Sequence, residues 1–264
     1  MSILLRGYSV FNLLSGNSRR CTIIKDRVTG ILKKVLKRVF LPNAPNERSF
    51  LEQHLSHFAK RNSNKLILDV GAGECQYAYL FNKKNKYETC DLKDSFHTGV
   101  EYDIVSNIYE IPRKDSHYDV VLMLQVLEHI EEPVRALKEI NRILKEEGVL
   151  FLSVPQAAGD HFEPYHYFNY TQYGLDTVLK RAGFEIMSMD RLEGMFVYVG
   201  NRIQKLGSII YFQYFKKNCF CKMFCLLFVS ICSWTGFVLS KLNFLDKQRN
   251  YCVGIIAVCR KKKC

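Results

Sequence analysis

The feature that most constrains this chain is an alternation between Lys65 and about Phe184, where short apolar runs trade places with segments of helical period. Lys65–Val70 (KLILDV) is a buried-strand run that ends on Gly-Ala-Gly, and a helix-like stretch follows to about Lys84. Tyr87–Asp91 predicts a second strand and Tyr102–Val105 a short third. Tyr118–Gln125 (YDVVLMLQ) is apolar almost throughout, as a strand is when both faces of a parallel sheet are covered. Pro133–Leu144 sets Val134, Leu137, Ile140, Ile143 and Leu144 on one face of a helix, opened by proline and closed before Gly148. Val149–Val154, Thr171–Ala182 and Phe184–Met189 continue as strand, helix and strand. The alternation predicts an α/β fold, a doubly wound sheet that binds ligands at the carboxyl ends of its strands. A length of 264 residues suits one such domain with additions.

The residues at those strand ends narrow the ligand. Gly71 and Gly73, either side of Ala72, let the backbone of a strand-to-helix turn approach a bound group closely. Gln76 stands where a phosphate-binding turn would have its third glycine. Asp69 just before the turn would repel a pyrophosphate but could hold an ammonium group. Asp91 ends the second strand, eighteen residues past Gly73, where a carboxylate can bridge two ribose hydroxyls. A ligand with a ribose, a positive amino group and no phosphate is S-adenosylmethionine.

From Leu68 to about Ile186 the chain resembles the class I S-adenosylmethionine-dependent methyltransferases of the broad type 11 group. Leu68-Asp69-Val70-Gly71-Ala72-Gly73 is similar to their first motif and Asp91 to their acidic second motif. Asn107-Ile108-Tyr109-Glu110-Ile111-Pro112 resembles their D-A-x-x-L-P stretch, with Asn107 for the usual aspartate. Tyr118-Asp119-Val120-Val121, Gln125-Val126-Leu127-Glu128-His129 and Arg142–Gly148 resemble their F-D-x-V, V-L-E-H and R-x-L-K-P-G-G segments. The resemblance implies a Rossmann-like sheet of seven strands, six parallel and the last antiparallel. It also implies S-adenosylmethionine as cofactor, with Asp69, Gly71, Ala72 and Gly73 at its methionine part, Asp91 at the ribose, and Asn107 and Ile108 at the adenine. Gln125, at the end of the fourth strand, joins that set. His129 and His166 are the candidate catalytic bases, although His129 could equally be a strand-end histidine satisfied by the backbone. His161, Tyr165 and His166 cluster in Asp160–Tyr170, a loop that either packs on the core or walls the acceptor.

Charge and cysteine content bear on partners. Of 38 basic and 26 acidic residues, the net excess of +12 sits almost wholly in residues 19–38 and in Arg260–Lys263. The nearly neutral middle offers no basic track beside the site and argues against a nucleic acid acceptor. Of the ten cysteines, Cys21, Cys75, Cys90, Cys252 and Cys259 lie mostly in apolar or strand-like surroundings, which suits reduced thiols in an intracellular protein. Cys219, Cys221 and Cys225 lack zinc spacing, and no metal site is expected. The first sixteen residues show no signal-peptide pattern.

Two segments stand outside the alternation, and they divide the chain into a basic amphipathic stretch (1–45), the cofactor domain (46–193 with 250–260) and a hydrophobic insertion (194–249). Within the insertion, Met223–Ser240 runs eighteen residues without a charge between Lys222 and Lys241. A helix of that length spans about 27 Å, just short of a roughly 30 Å hydrocarbon core. A single crossing would leave the last strand, Cys252–Cys259, on the wrong side of the bilayer, and Ser208–Phe215 is too short for a second. The insertion is therefore expected to lie in the membrane interface, to form a shallow re-entrant hairpin, or to pack on the protein itself as a cap. Methyltransferases of bacterial cell-surface glycan synthesis are similar in carrying such an insertion before a basic tail. The resemblance implies O-methylation of a sugar or lipid-linked glycan at the cytoplasmic face of the membrane, with a quinone or other small-molecule acceptor as the second reading. A scaffold that binds the cofactor without catalysis is the third.

Overall fold

The computed structural model describes residues 41–42, 47–81, 84–93, 99–214 and 219–262. Residues 22–40, whose sequence predicts a basic amphipathic helix, lie outside the described residues. Among the described residues seven strands form one sheet in the order β3-β2-β1-β4-β5-β7-β6. They are β1 (Leu66–Val70), β2 (Lys86–Asp91), β3 (Ile104–Val105), β4 (Tyr118–Leu124), β5 (Leu144–Pro155), β6 (Phe184–Leu192) and β7 (Gly254–Lys261). Strands β1 to β5 pair in parallel, and β7 lies antiparallel between β5 and β6. The sheet is thus the expected one, six strands parallel and the last reversed. The order reverses between β1 and β4, which opens a crevice at their carboxyl ends.

The apolar runs are explained by two covered faces. In β4, Val121 and Met123 enter one core with the helix α2 (Pro133–Ile143), while Val120 and Leu122 enter the other with α1 (Glu47–Arg61). Residues i and i+2 share a face, so every position of such a strand is apolar. α2 buries Ala136, Leu137, Ile140 and Ile143, and α3 (Gln172–Arg181) starts at Thr171, whose hydroxyl accepts from Gly174 N. The end of α2 is anchored by Arg142, paired with Glu139 at 2.7 Å and Asp115 at 2.6 Å.

Several boundaries differ from the sequence expectation. No helix follows the glycine turn up to Lys84 among the described residues; only a three-residue 3-10 turn, Ala78–Leu80, forms there. Cys75 has φ of 52°, which breaks the helical path at its start, and Tyr77 and Phe81 turn into the core instead. β3 pairs over two residues rather than four, and β7 lies two residues later than Cys252–Cys259.

The insertion folds as two helices, α4 (Met195–Tyr214) and α5 (Cys219–Lys241). Ser208–Phe215 is therefore not an isolated short run: most of it belongs to a 20-residue helix. The pattern hid this because Asn201, Arg202, Gln204 and Lys205 interrupt its apolar character. The two helices approach through small residues. A Cβ on Gly200 would stand 2.7 Å from Gly236 O, one on Gly236 would stand 2.6 Å from Gly200 O, and one on Gly207 would meet Cys232. Gln204 Nε2 donates across the pair to Ser233 O at 3.0 Å. Such close backbone contact through small residues is one way helices pair without large interdigitating side chains.

Candidate active site

The crevice between β1 and β4 holds the glycine turn. Gly71 (φ 68°) and Gly73 (φ 53°) occupy the left-handed region, where a side chain is disfavoured. Space forbids one at Gly71 too, since a Cβ there would lie 2.4 Å from Val126. Backbone bonds stitch the turn to β2: Gly71 N and Ala72 N both donate to Cys90 O, at 2.8 and 3.3 Å. Asp91 completes the attachment by accepting from Gly73 N at 2.8 Å through Oδ2 and from Leu92 N at 2.7 Å through Oδ1. Each carboxylate oxygen keeps a second acceptor site, as a ribose diol requires. Tyr102, not singled out in the sequence, donates to Gly73 O at 3.0 Å.

Asp69 is buried and accepts a 2.6 Å hydrogen bond from Tyr87 OH. Burial pushes its pKa up to about 7, against the lowering effect of the tyrosine, and the neighbouring Asp91 adds to the rise. An ammonium group beside it would restore the ionised form. Strand register could have revealed Tyr87. Asp69 pairs with Thr89, and Tyr87 is two residues up the same face of the neighbouring strand.

Past β3, Asn107 is exposed and Ile108 buried. Asn107 Oδ1 already accepts from Tyr109 N at 3.0 Å, so its amide hydrogens and one remaining lone pair face outward. Gln125 directly follows β4 with φ of 57° and donates from Nε2 to Ser153 Oγ at 3.2 Å. The glycine turn, Asp91 and the end of β4 are therefore brought to one crevice, and the open acceptor positions on Asp91 together with the glycine cradle suit S-adenosylmethionine.

His129 lies three residues beyond Val126, on a 3-10 turn formed by Leu127–His129. The loop after β5 folds onto this turn: Tyr167 N and Phe168 N donate to Glu128 O, and His129 Nδ1 donates to Tyr165 O at 2.8 Å. Both open readings of His129 meet here, since its backbone-facing nitrogen is satisfied while its ring gathers with others. The rings of His129 and His161 lie 4.8 Å apart, His161 and His166 4.4 Å, and His129 and His166 5.7 Å. Burial pulls His129 and His161 below the ordinary imidazole pKa. Beside this loop is a cleft of about 460 Å³ lined by Gln156, Gly159, Asn169, Tyr198 and Arg202, among others. Arg202 bonds to Ala157 O and stacks on Tyr198, and Lys205 Nζ reaches toward Gly159.

A family model described as a methyltransferase domain matches residues 44–189, over half of the chain. The chain belongs to this methyltransferase family. The family implies S-adenosylmethionine as its cofactor, in line with the crevice. A probable S-adenosylmethionine-dependent methyltransferase of Mycolicibacterium smegmatis is 25% identical over 162 residues, 55% of this chain and 63% of that protein. An uncharacterised protein of Methanocaldococcus jannaschii is 34% identical over 122 residues, 43% of this chain and 52% of that protein. The chain thus spans less than two thirds of these curated relatives. Among solved structures, the [4+2]-cyclase SpnF superposes with a TM-score of 0.53 at 18% identity, over 90% of this chain and 94% of that one. The MccD protein does so with 0.51 at 16%, over 83% and 100%. These structures share the fold, and a cyclase among them shows that the fold alone does not name a reaction.

Proposed function

We propose that this methyltransferase O-methylates a sugar or lipid-linked glycan intermediate, at the cytoplasmic surface of a membrane. The observation that carries this reading is the junction of the cofactor crevice, the histidine loop and a cation-bearing cleft at the carboxyl ends of β4 and β5. Bound S-adenosylmethionine supplies a methyl group on a sulfonium: as the acceptor oxygen bonds that carbon, the carbon–sulfur bond breaks and its electron pair returns to sulfur. The side chains of this protein have the tasks of alignment and of removing the hydroxyl proton. His166 suits the second task. Its side chain is 4% exposed and neither ring nitrogen makes a hydrogen bond, whereas His129 has committed Nδ1 to Tyr165.

Arg202 and Lys205, in the middle of the hairpin helix α4, support an acceptor that carries an anionic group such as a lipid phosphate. They favour it over a quinone, which offers no anion. The hairpin supports the membrane surface. Met223, Leu227, Ile231, Trp234 and Val238 recur at helical spacing on α5, and all are exposed. After α5 a 3-10 turn, Asn243–Leu245, exposes Phe244 and Leu245 as well, and the stretch Met223–Leu245 is long and apolar enough to cross a bilayer by length and composition. α4 is long enough too, but its polar quartet at 201–205 speaks against a two-helix crossing, and the hairpin leaves from β6 and returns to β7 of one sheet. Attachment along the membrane surface satisfies both facts.

The test is transfer of isotope-labelled methyl from S-adenosylmethionine, by the purified protein, into fractionated membrane extracts. Label in an alkali-stable, phosphate-bearing lipid or glycan fraction is expected. Label confined to neutral quinone fractions would overturn the acceptor proposed, and no label in any fraction would favour a scaffold that binds the cofactor without catalysis.

A further inference from the structure

The histidine cluster holds more than a base. The carboxylate of Glu128 and the imidazoles of His129 and His161 offer ligand atoms that all lie within 4.8 Å of one another. Their tautomers are fixed by the backbone. His129 Nδ1 faces Tyr165 O at 2.8 Å and His161 Nδ1 faces Gly159 O at 3.0 Å. A carbonyl can only accept, so each Nδ1 carries the proton and each Nε2 keeps a lone pair for a ligand. Metal-binding histidines are prepared in this way, with the far nitrogen donating to a carbonyl or carboxylate. Glu128 is fully buried, with Oε1 3.9 Å from His129 Nε2. His166 is a second, independent sign of a ligand: its ring is 4.4 Å from that of His161, its side chain is more than nine-tenths buried, and both nitrogens lack a hydrogen bond. Asp160 Oδ1 lies 3.5 Å from its Nδ1.

We propose that Glu128, His129 and His161 bind a divalent transition cation of the zinc or cobalt kind, with an open position toward the cleft. Two neutral imidazoles and one carboxylate are a donor set such cations accept, and an open fourth position is what separates a catalytic from a structural site. Metal–nitrogen bonds of about 2.0–2.1 Å would draw the three ligand atoms inward from their present spacing. The His161 arm can supply that movement, because it stands on a loop rather than in the sheet. Resting on the methyltransferase reading, the cation has a defined role: it takes the acceptor oxygen as its fourth ligand and lowers the pKa of that hydroxyl, and His166 receives the proton.

The test is titration of the full-length protein with Co²⁺ followed by visible absorption, with S-adenosylmethionine binding measured on the same samples. One equivalent is expected to produce d–d bands without the intense sulfur-to-cobalt band that cysteine ligation gives. His161→Ala is expected to weaken Co²⁺ binding by at least 10-fold while S-adenosylmethionine binding persists. Pulsed EPR of the Cu²⁺-loaded wild type should count two imidazole nitrogens, a readout that needs no variant to fold. Absence of Co²⁺ binding, a dominant sulfur band, undiminished binding by His161→Ala, or fewer than two coupled imidazoles would each overturn the site. Failure of the wild type to bind S-adenosylmethionine would instead strike the methyltransferase reading and leave the metal result standing.

Discussion

In β4, Val120, Val121, Leu122 and Met123 are each at most 1% exposed, whereas on α5 Met223 is 64% exposed, Leu227 60% and Ile231 55%. Both segments are apolar runs of similar residue types. The strand gains from burial on two faces of a sheet; the helix buries Cys225, Val229 and Cys232 against α4 and leaves its opposite stripe in solvent. A contiguous exposed apolar face of this kind marks an interaction surface more often than a folding element. The same hydropathy signal is spent on the core in one region and left as an exposed face in the other, and burial is what separates them.

The largest expected effect lies in the sheet region. Gly71→Ala adds a methyl in the left-handed region and drives it into Val126 at 2.4 Å. The strain and overpacking together cost about 2–5 kcal/mol. Thermal unfolding should show a lowered midpoint and S-adenosylmethionine binding should be lost; a stable variant with normal affinity would show that the turn is not held as described.

On the hairpin, Leu227→Ser with Ile231→Ser should leave the fold and cofactor affinity intact, because both side chains already face solvent. Each fully buried aliphatic side chain is worth about 1.5–3 kcal/mol on transfer from water, so co-sedimentation with anionic vesicles should fall by roughly 100-fold or more. Equal sedimentation of the variant would dissolve the contrast between the two regions and return the hairpin to the status of a cap.

A smaller effect sharpens the reading of Asp69. Its acid form is favoured by burial up to about pH 7, and a bound ammonium favours the ionised form. Binding of S-adenosylmethionine below pH 7 must therefore expel a proton from Asp69, and affinity should rise several-fold between pH 6 and pH 8. The fold alone responds with the opposite sign: a carboxyl pKa raised from 3.8 favours the folded state at low pH, and that advantage is lost as pH rises through about 7. Calorimetry in buffers of different ionisation enthalpy reads the released proton directly. A flat profile, or one unchanged in Asp69→Asn, would remove Asp69 from the cofactor site.

What could be read in the sequence follows from the range of the interactions involved. β1, β4 and α2 were legible because their apolar periods are set by faces the strand or helix itself defines. The stretch after Gly73 was not, since a single positive φ at Cys75 outweighs the helical pattern around it. α4 was hidden by polar residues that serve the cleft and the helix contact rather than the core. At the site, Gly71, Gly73 and Asp91 stood out by spacing, and the structure joins Gly73 to Asp91 directly. The pairing of His129 with Tyr165, 36 residues away, could not be read from either segment, because it depends on the loop after β5 folding back across β4. Glu128 was visible only as part of a motif; its proximity to His161 is a property of that folded loop.

The central claim is that the crevice at the ends of β1, β2 and β4 holds S-adenosylmethionine through the glycine turn and Asp91. Isothermal titration of the intact chain with S-adenosylmethionine tests it most directly. Stoichiometric binding by the wild type, weakened by 100-fold or more in Asp91→Ala, is the predicted result; no binding by the folded wild type, or affinity unchanged in Asp91→Ala, would contradict it.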